Sequence, residues 1–210
     1  MNFLASTLIC TTLLGTCGLV QAEVIAPDTL VKSTTEAVLV AIRQNQNQAH
    51  LIKVAESTVL PHFDFTRMTR LAVGRGWGQA TAEQQQALVN EFRSLIVRTY
   101  TGALAASKNA DTRIIVSPLP ALANVAEVMV RTKVMRPGAR AVPIDYDMEN
   151  LPEGWKVFDV VVDGVSLVTN YRQIFSAELR ESGVDGLVKF LAVKNRLAAN
   201  GPVATKPAAE

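Results

Sequence analysis

Apolar positions recur with a helical period over residues 28–107, alternate with polar ones over 112–168, and return to helical spacing as far as residue 197. Helices on either side of a block of consecutive alternating strands predict an α+β chain with an antiparallel sheet. In the first helical stretch Leu30, Thr34, Ala37, Val38, Ala41 and Ile42 share one stripe, behind Pro27 and the capping residue Asp28. A short helix is expected over about 50–60, stopped by Pro61. A further piece passes through Met68 and Leu71 until Gly74, Gly76 and Gly78 around Trp77 end it in a turn. Thr81 and Gln84 have capping-box spacing, so the longest helix starts there, with Leu88, Phe92, Leu95, Ile96, Tyr100 and Leu104 on its apolar face.

Four strands are expected. The first covers 112–116. The second covers 125–136, with Val128, Val130, Thr132 and Val134 facing one way and Glu127, Arg131 and Lys133 the other. In the third, Val142, Ile144, Tyr146 and Met148 alternate with Pro143, Asp145, Asp147 and Glu149, and Pro143 marks it as an edge strand. The fourth, 155–162, turns at Asp163-Gly164 and leads into 165–168. The last helical section carries Tyr171, Ile174, Phe175 and Leu179, breaks at Ser182-Gly183, and resumes with Leu187, Phe190, Leu191 and Leu197.

The two ends change this picture. Residues 1–22 read as a secretory signal, since an almost wholly apolar or small run over 8–20 ends in Val20-Gln21-Ala22, a small-x-small cleavage site. The run is shorter than the roughly 20 residues a membrane span needs and no stop-transfer charges follow it, although its start carries no Lys or Arg. Cleavage near Ala22 places the mature chain outside the cytoplasm and removes both cysteines, Cys10 and Cys17, leaving no disulfide, thiol nucleophile or Cys metal site. Residues 23–197 then form one domain, and the Ala-, Pro- and Gly-rich segment 198–210 is expected to be a disordered tail. With 21 Lys and Arg against 19 Asp and Glu, the net charge of +2 gives no reason to expect nucleic acid.

Chemistry is sparse. The only histidines, His50 and His62, are twelve residues apart, too isolated to suggest a metal site. Gly164-Val165-Ser166-Leu167-Val168 lacks the second glycine of a nucleophile elbow. Asp145 and Asp147 share a strand face at roughly 6–7 Å, a spacing open to carboxylate-pair hydrolysis but equally that of a solvated face. The segment 74–78 follows a helical pattern and not a strand, so it reads as a turn and not as a phosphate loop. The residues by themselves describe a secreted α+β domain without visible catalytic machinery, to which a binding role falls by default. A pure interaction module with a filled core remains open beside it, as does a hydrolase using Asp145, Asp147 or Ser166.

Several motifs follow one another in order: Phe63-Asp64-Phe65, Met68, Leu71-Ala72-Val73-Gly74, Trp77, the run 81–85, Phe92 and Tyr100. Later come 160–168 around Asp163-Gly164-Val165-Ser166-Leu167, then Asn170-Tyr171-Arg172 with Phe175, and Gly183-Val184-Asp185-Gly186-Leu187. Across most of 27–195 the chain resembles the MlaC-type phospholipid-binding carriers, also known as toluene-tolerance auxiliary transport proteins. The resemblance implies an NTF2-like arrangement, with N- and C-terminal helices on a twisted antiparallel sheet around an apolar pocket that takes lipid tails and leaves the head group outside. It implies a periplasmic shuttle between outer and inner membranes, the soluble component of an ABC-transporter-linked lipid-asymmetry pathway. Its partners would be an outer-membrane lipoprotein complex and an inner-membrane MCE-domain transporter. Phospholipid is the implied ligand, with no cofactor, metal or catalysis, and a monomer is expected.

On that reading, face and pattern nominate Leu71, Tyr100, Leu104, Val130, Ile144, Tyr146, Phe158, Val160, Val162, Leu167, Tyr171 and Phe175 as pocket lining. Arg172, or the series Arg131, Lys133, Arg136 and Arg140, is nominated to meet phosphate or an acidic docking surface.

Overall fold

A computed structural model describes the backbone of residues 25–106, 111–120 and 125–200, and the side chains of these residues apart from 103–106 and 199–200. The expected signal, 1–22, lies outside the described residues, as does 201–210 of the expected tail.

Helix α1, Pro27–Gln44, begins with Pro27 at its first position, where the missing N–H has no intrahelical role. Asp28 is therefore not the cap. It sits inside the first turn, where its carboxylate accepts from Thr29 N–H and, across the chain, from Leu119 N–H at 3.2 Å. Helix α2, Gln48–Val54, is capped by Asn47, whose side chain accepts from Ala49 N–H. It does not run regularly to residue 60: the backbone widens to a π turn over Ala55–Val59, then tightens to a 3-10 turn over Leu60–His62. Pro61 lies early in that last turn, where it needs no hydrogen bond, so it reshapes the helix end instead of halting it at Leu60.

Asp64 caps α3, Phe65–Val73, by accepting from Arg67 N–H at 2.8 Å, and a 3-10 turn follows over Gly74–Gln79. The capping box of α4, Ala82–Ala106, is reciprocal: Thr81 N–H donates to Gln84 Oε1 at 2.9 Å, and Gln84 N–H donates to Thr81 Oγ1 at 3.3 Å.

The sheet is an open antiparallel meander in the order β1 (Arg113–Val116), β2 (Glu127–Met135), β3 (Val142–Leu151), β4 (Gly154–Val162), β5 (Val165–Ser166). It has five strands where four were expected. Positive φ at Asp163 (51°) and Gly164 (85°) makes the tight turn that lets Val165 and Ser166 pair back on β4. Leu167 and Val168 do not extend that strand; they open α5, Leu167–Asn200.

Two further expectations are corrected. Pro143 does not lie on an edge, because β3 pairs with β2 on one side and β4 on the other. Its carbonyl accepts from Asp163 N–H at 2.9 Å. A strand residue's N and O point the same way, so the absent donor faces the turn where the β4 ladder has ended. Second, β3 and β4 slip by one between Asp147 and Met148: Asp147 opposes Asp159, Met148 opposes Val157, and Phe158 is the extra residue of a β-bulge.

Helix α5 breaks where the sequence places the break, at Gly183 (φ 66°), and continues to Asn200, past the expected end at 197. Ile174 and Leu197, counted on its apolar stripe, are exposed.

The core divides in two. One cluster joins α3, α4 and α5 through Met68, Leu88, Phe92, Phe175, Leu187 and Leu191. In it Phe92 meets Tyr171 and Phe175 edge-on, with ring centres 4.9 and 5.2 Å apart. The other joins α1 to the sheet through Leu30, Val31, Val130, Met148, Trp155, Val157, Val160 and Leu167.

Candidate functional site

The second cluster does not close on itself. Between α1, α2, α3, α4 and the sheet lies a cavity of about 520 Å3, within the roughly 300–1,000 Å3 of small-molecule sites. Helix α1 contributes Leu30, Val31, Val38 and Ile42, and α4 contributes Ile96, Val97, Tyr100 and Thr101. From the sheet come Ile114 and Val134, then Ile144, Tyr146 and Met148, and then Val157, Val160 and Val162. Leu51, Phe63, Phe65 and Met68 complete the wall, so its surface is almost wholly hydrocarbon.

The phenol of Tyr146 is pushed up to about 12, by burial first and by the nearby Asp145 second. Burial, then Tyr171, raises Tyr100 as well. Burial, followed by the charge of Lys156, lowers His62. Each shift favours the uncharged form at neutral pH, in keeping with a wall of low polarity.

Six of the nominated lining residues meet here: Tyr100, Ile144, Tyr146, Val160, Val162 and Leu167. Val130 is fully buried in the cluster behind the wall. Leu71, Phe158, Tyr171 and Phe175 instead pack in the helical cluster, away from the cavity. For Phe158 the cause is the bulge: the extra residue breaks the alternation, so Val157 takes the inward position ahead of Val160 and Val162. Phe158 lies under the Arg67 guanidinium, 3.6 Å from the ring centre. The side chain of Leu104 lies outside the described residues. The lining from α1, α2 and α3 lay outside the nominated residues, although the stripe of Leu30, Thr34, Val38 and Ile42 was visible as a pattern.

The nominated cations separate as well. Arg131 and Lys133 are exposed and alternate with the inward residues Val130, Thr132 and Val134, so they point away from the cavity. Arg140 forms an exposed ion pair with Asp163 at 2.5 Å, and Arg172 Nε donates to the Leu71 carbonyl at 2.8 Å. Arg136 alone of the five lines the cavity.

The hydrolytic candidates have structural employment. Ser166 caps α5 by accepting from Thr169 N–H at 2.9 Å and donates its own proton to Asp159. Asp159 is buried and also accepts from Val160 N–H at 2.7 Å and Val168 N–H at 3.1 Å. No imidazole is among these partners. Asp147 stands opposite Asp159, and its pKa is raised by burial, then by Asp159, Asp145 and Glu127, against the pull of Arg67. Among the described residues no group of three or more His, Cys, Asp or Glu is placed to hold a metal, and no helix is long and apolar enough to cross a membrane.

Fold and cavity together define a class: helices and an open antiparallel sheet enclosing one hydrocarbon chamber. Within it this chain belongs to the MlaC family, whose model, described as MlaC protein, matches residues 32–193. Over 133 residues it is 28% identical to the toluene tolerance protein ttg2D of Pseudomonas putida, a match covering 60% of this chain. The chain spans 60% of that curated relative's length. A solved phospholipid-binding protein from Ralstonia solanacearum, in complex with a phospholipid, is similar at 36% identity with a TM-score of 0.74, covering 82% of this chain and 98% of the other.

Proposed function

We propose that this protein binds phospholipid in the chamber, tails inside and head group at the mouth, and carries it through the periplasm between the outer and inner membranes. The observation that carries this reading is a hydrocarbon chamber of about 520 Å3 in a chain whose 36%-identical structural relative is a phospholipid-binding protein with its lipid. Burial is worth about 0.8 kcal/mol per methylene, so two acyl chains of about 15 methylenes gain on the order of 24 kcal/mol by leaving water. A protein that hides the tails removes that barrier to crossing an aqueous space. The job needs lining and a mouth but no catalytic residue, in agreement with the structural roles of Ser166 and Asp159.

On the same reading the signal at 1–22 delivers the chain to the periplasm. There it exchanges lipid with an outer-membrane lipoprotein complex and an inner-membrane MCE-domain ABC transporter. The decisive experiment is native and lipid mass spectrometry on the purified mature chain, before and after organic extraction. Near-stoichiometric phospholipid is expected. Lipid-free protein that also takes none from liposomes would overturn the proposal.

A further inference from the structure

Among the described residues that line the chamber, Arg136 is the only Lys, Arg, Asp or Glu. It is the residue after the last of β2, ahead of Pro137 and Gly138, and shares that end of the wall with Thr112, Ile114, Val134 and Val142. These are half-buried, whereas Leu30, Met148, Val157 and Leu167 at the core of the wall are buried. Arg136, itself half-buried, stands on a part of the wall that reaches toward solvent.

Arg67 is held by Glu127 and Glu149, and Arg140 by Asp163, but no carboxylate among the described residues lies within ion-pair distance of Arg136. Its Nε is buried and has no hydrogen-bond partner among the described residues. A buried guanidinium donor without an acceptor is costly, and it matches the fork geometry of an anionic oxygen pair. A second guanidinium is close by: Arg43, at the end of α1, donates to the Thr112 carbonyl at 3.5 Å. The other ionisable base on the wall, His62, is biased toward its neutral form by burial and by the charge of Lys156.

We infer that Arg136 anchors the phosphate ester of the bound lipid, fixing which end of the lipid enters the chamber first and selecting phospholipid over phosphate-free lipids with the same chains. This rests on the carrier reading. The shared chemistry is a phosphate oxygen pair, which a lipid head group or free phosphate can supply.

The test loads the delipidated mature chain from vesicles containing either dioleoyl phosphatidylglycerol or dioleoylglycerol, and separately titrates it with inorganic phosphate. Wild type, Arg136→Ala and Arg136→Lys are compared, with a thermal melt to verify that each variant is folded. Wild type is expected to favour the phospholipid at least about tenfold, a preference that collapses in Arg136→Ala and returns in part in Arg136→Lys, because a lysine keeps the charge without the fork. A folded Arg136→Ala that keeps the wild-type preference overturns the anchor and leaves the carrier reading standing. So does inorganic phosphate binding that Arg136→Ala abolishes while lipid preference is unchanged. A wild-type chain that takes up neither lipid overturns the carrier reading itself.

Discussion

Asp159 is a buried carboxylate with a structural role. Its two oxygens receive Val160 N–H, Val168 N–H and the Ser166 hydroxyl, and Ser166 in turn caps α5. Hydrogen bonds to a charged acceptor are each worth about 1.5–3 kcal/mol, and their loss is partly offset by water entering the site. Asp159→Ala is therefore expected to lower unfolding free energy by about 2–3 kcal/mol in urea titration, chiefly by loosening the start of α5. A loss below about 0.5 kcal/mol would mean that the cap is not held by Asp159.

Its neighbour Asp147 acts in the opposite sense. Burial, then Asp159, Asp145 and Glu127, raises its folded pKa above the usual carboxylate value. The folded chain then holds this proton more tightly than the unfolded chain. The resulting stability is fully present below the unfolded pKa of about 3.9 and is lost as pH rises through the raised folded value. At neutral pH the ionised Asp147 is a burden, so Asp147→Asn should melt above wild type at pH 7, the gap narrowing as pH falls toward 3. Equal melting curves at both pH values would show that Arg67 already compensates the repulsion. None of this was visible from the alternation of Asp145, Asp147 and Glu149, which reads as an exposed row, because the partner carboxylate comes from β4.

Where an element depends on neighbours in the chain, its pattern mostly held, the Asp28 cap and the regular helix up to Pro61 being the exceptions. The Thr81–Gln84 box, the stripe of α4 and the break at Gly183 are local, and each stands where the sequence puts it. Where an element depends on a partner strand, the pattern misled. Pro143 looks like an edge residue until its register is known, and Phe158 looks inward-facing until the bulge against Asp147 and Met148 adds one residue to the count. Alternation counts residues along one strand, and a bulge is a property of two. Gly183 gives a direct test of the local kind. With φ at 66° and nothing within 4 Å of a Cβ built there, Gly183→Ala meets backbone strain but no clash. The expected cost is about 1–2 kcal/mol in chemical denaturation. A neutral or stabilising outcome would mean that the two halves of α5 can join into one continuous helix.

The two halves of the core divide the work of the molecule. The cluster of α3, α4 and α5 is filled around Leu88, Phe92, Phe175 and Leu191, all fully buried, and of its buried residues only Phe65, Met68 and Ile96, at its edge, reach the chamber wall. The cluster between α1 and the sheet surrounds the chamber. The sequence could not separate them, since a run such as Val142, Ile144, Tyr146 and Met148 is equally apolar whether the opposing helix fills the gap or stands off from it. That is why face and pattern nominated Tyr171 and Phe175 as lining when their rings pack against each other, centres 5.6 Å apart, in the filled half.

The division makes stability depend on cargo chiefly in the half that surrounds the chamber. An emptied chamber forfeits the contacts that tails make with its wall. Lipid at 100 times its dissociation constant adds about 2.7 kcal/mol to the folded state, roughly 5–10 °C for a chain of this length. Delipidated protein should melt lower by that order and recover when phospholipid vesicles are added. Amide exchange should show where the change occurs: faster exchange on lipid removal in α1, α2 and β2–β4, with the amides around Phe92, Phe175 and Leu191 unchanged. Uniform loss of protection across both clusters would mean that the helical half is no independent scaffold and that the chain folds around its lipid as one unit.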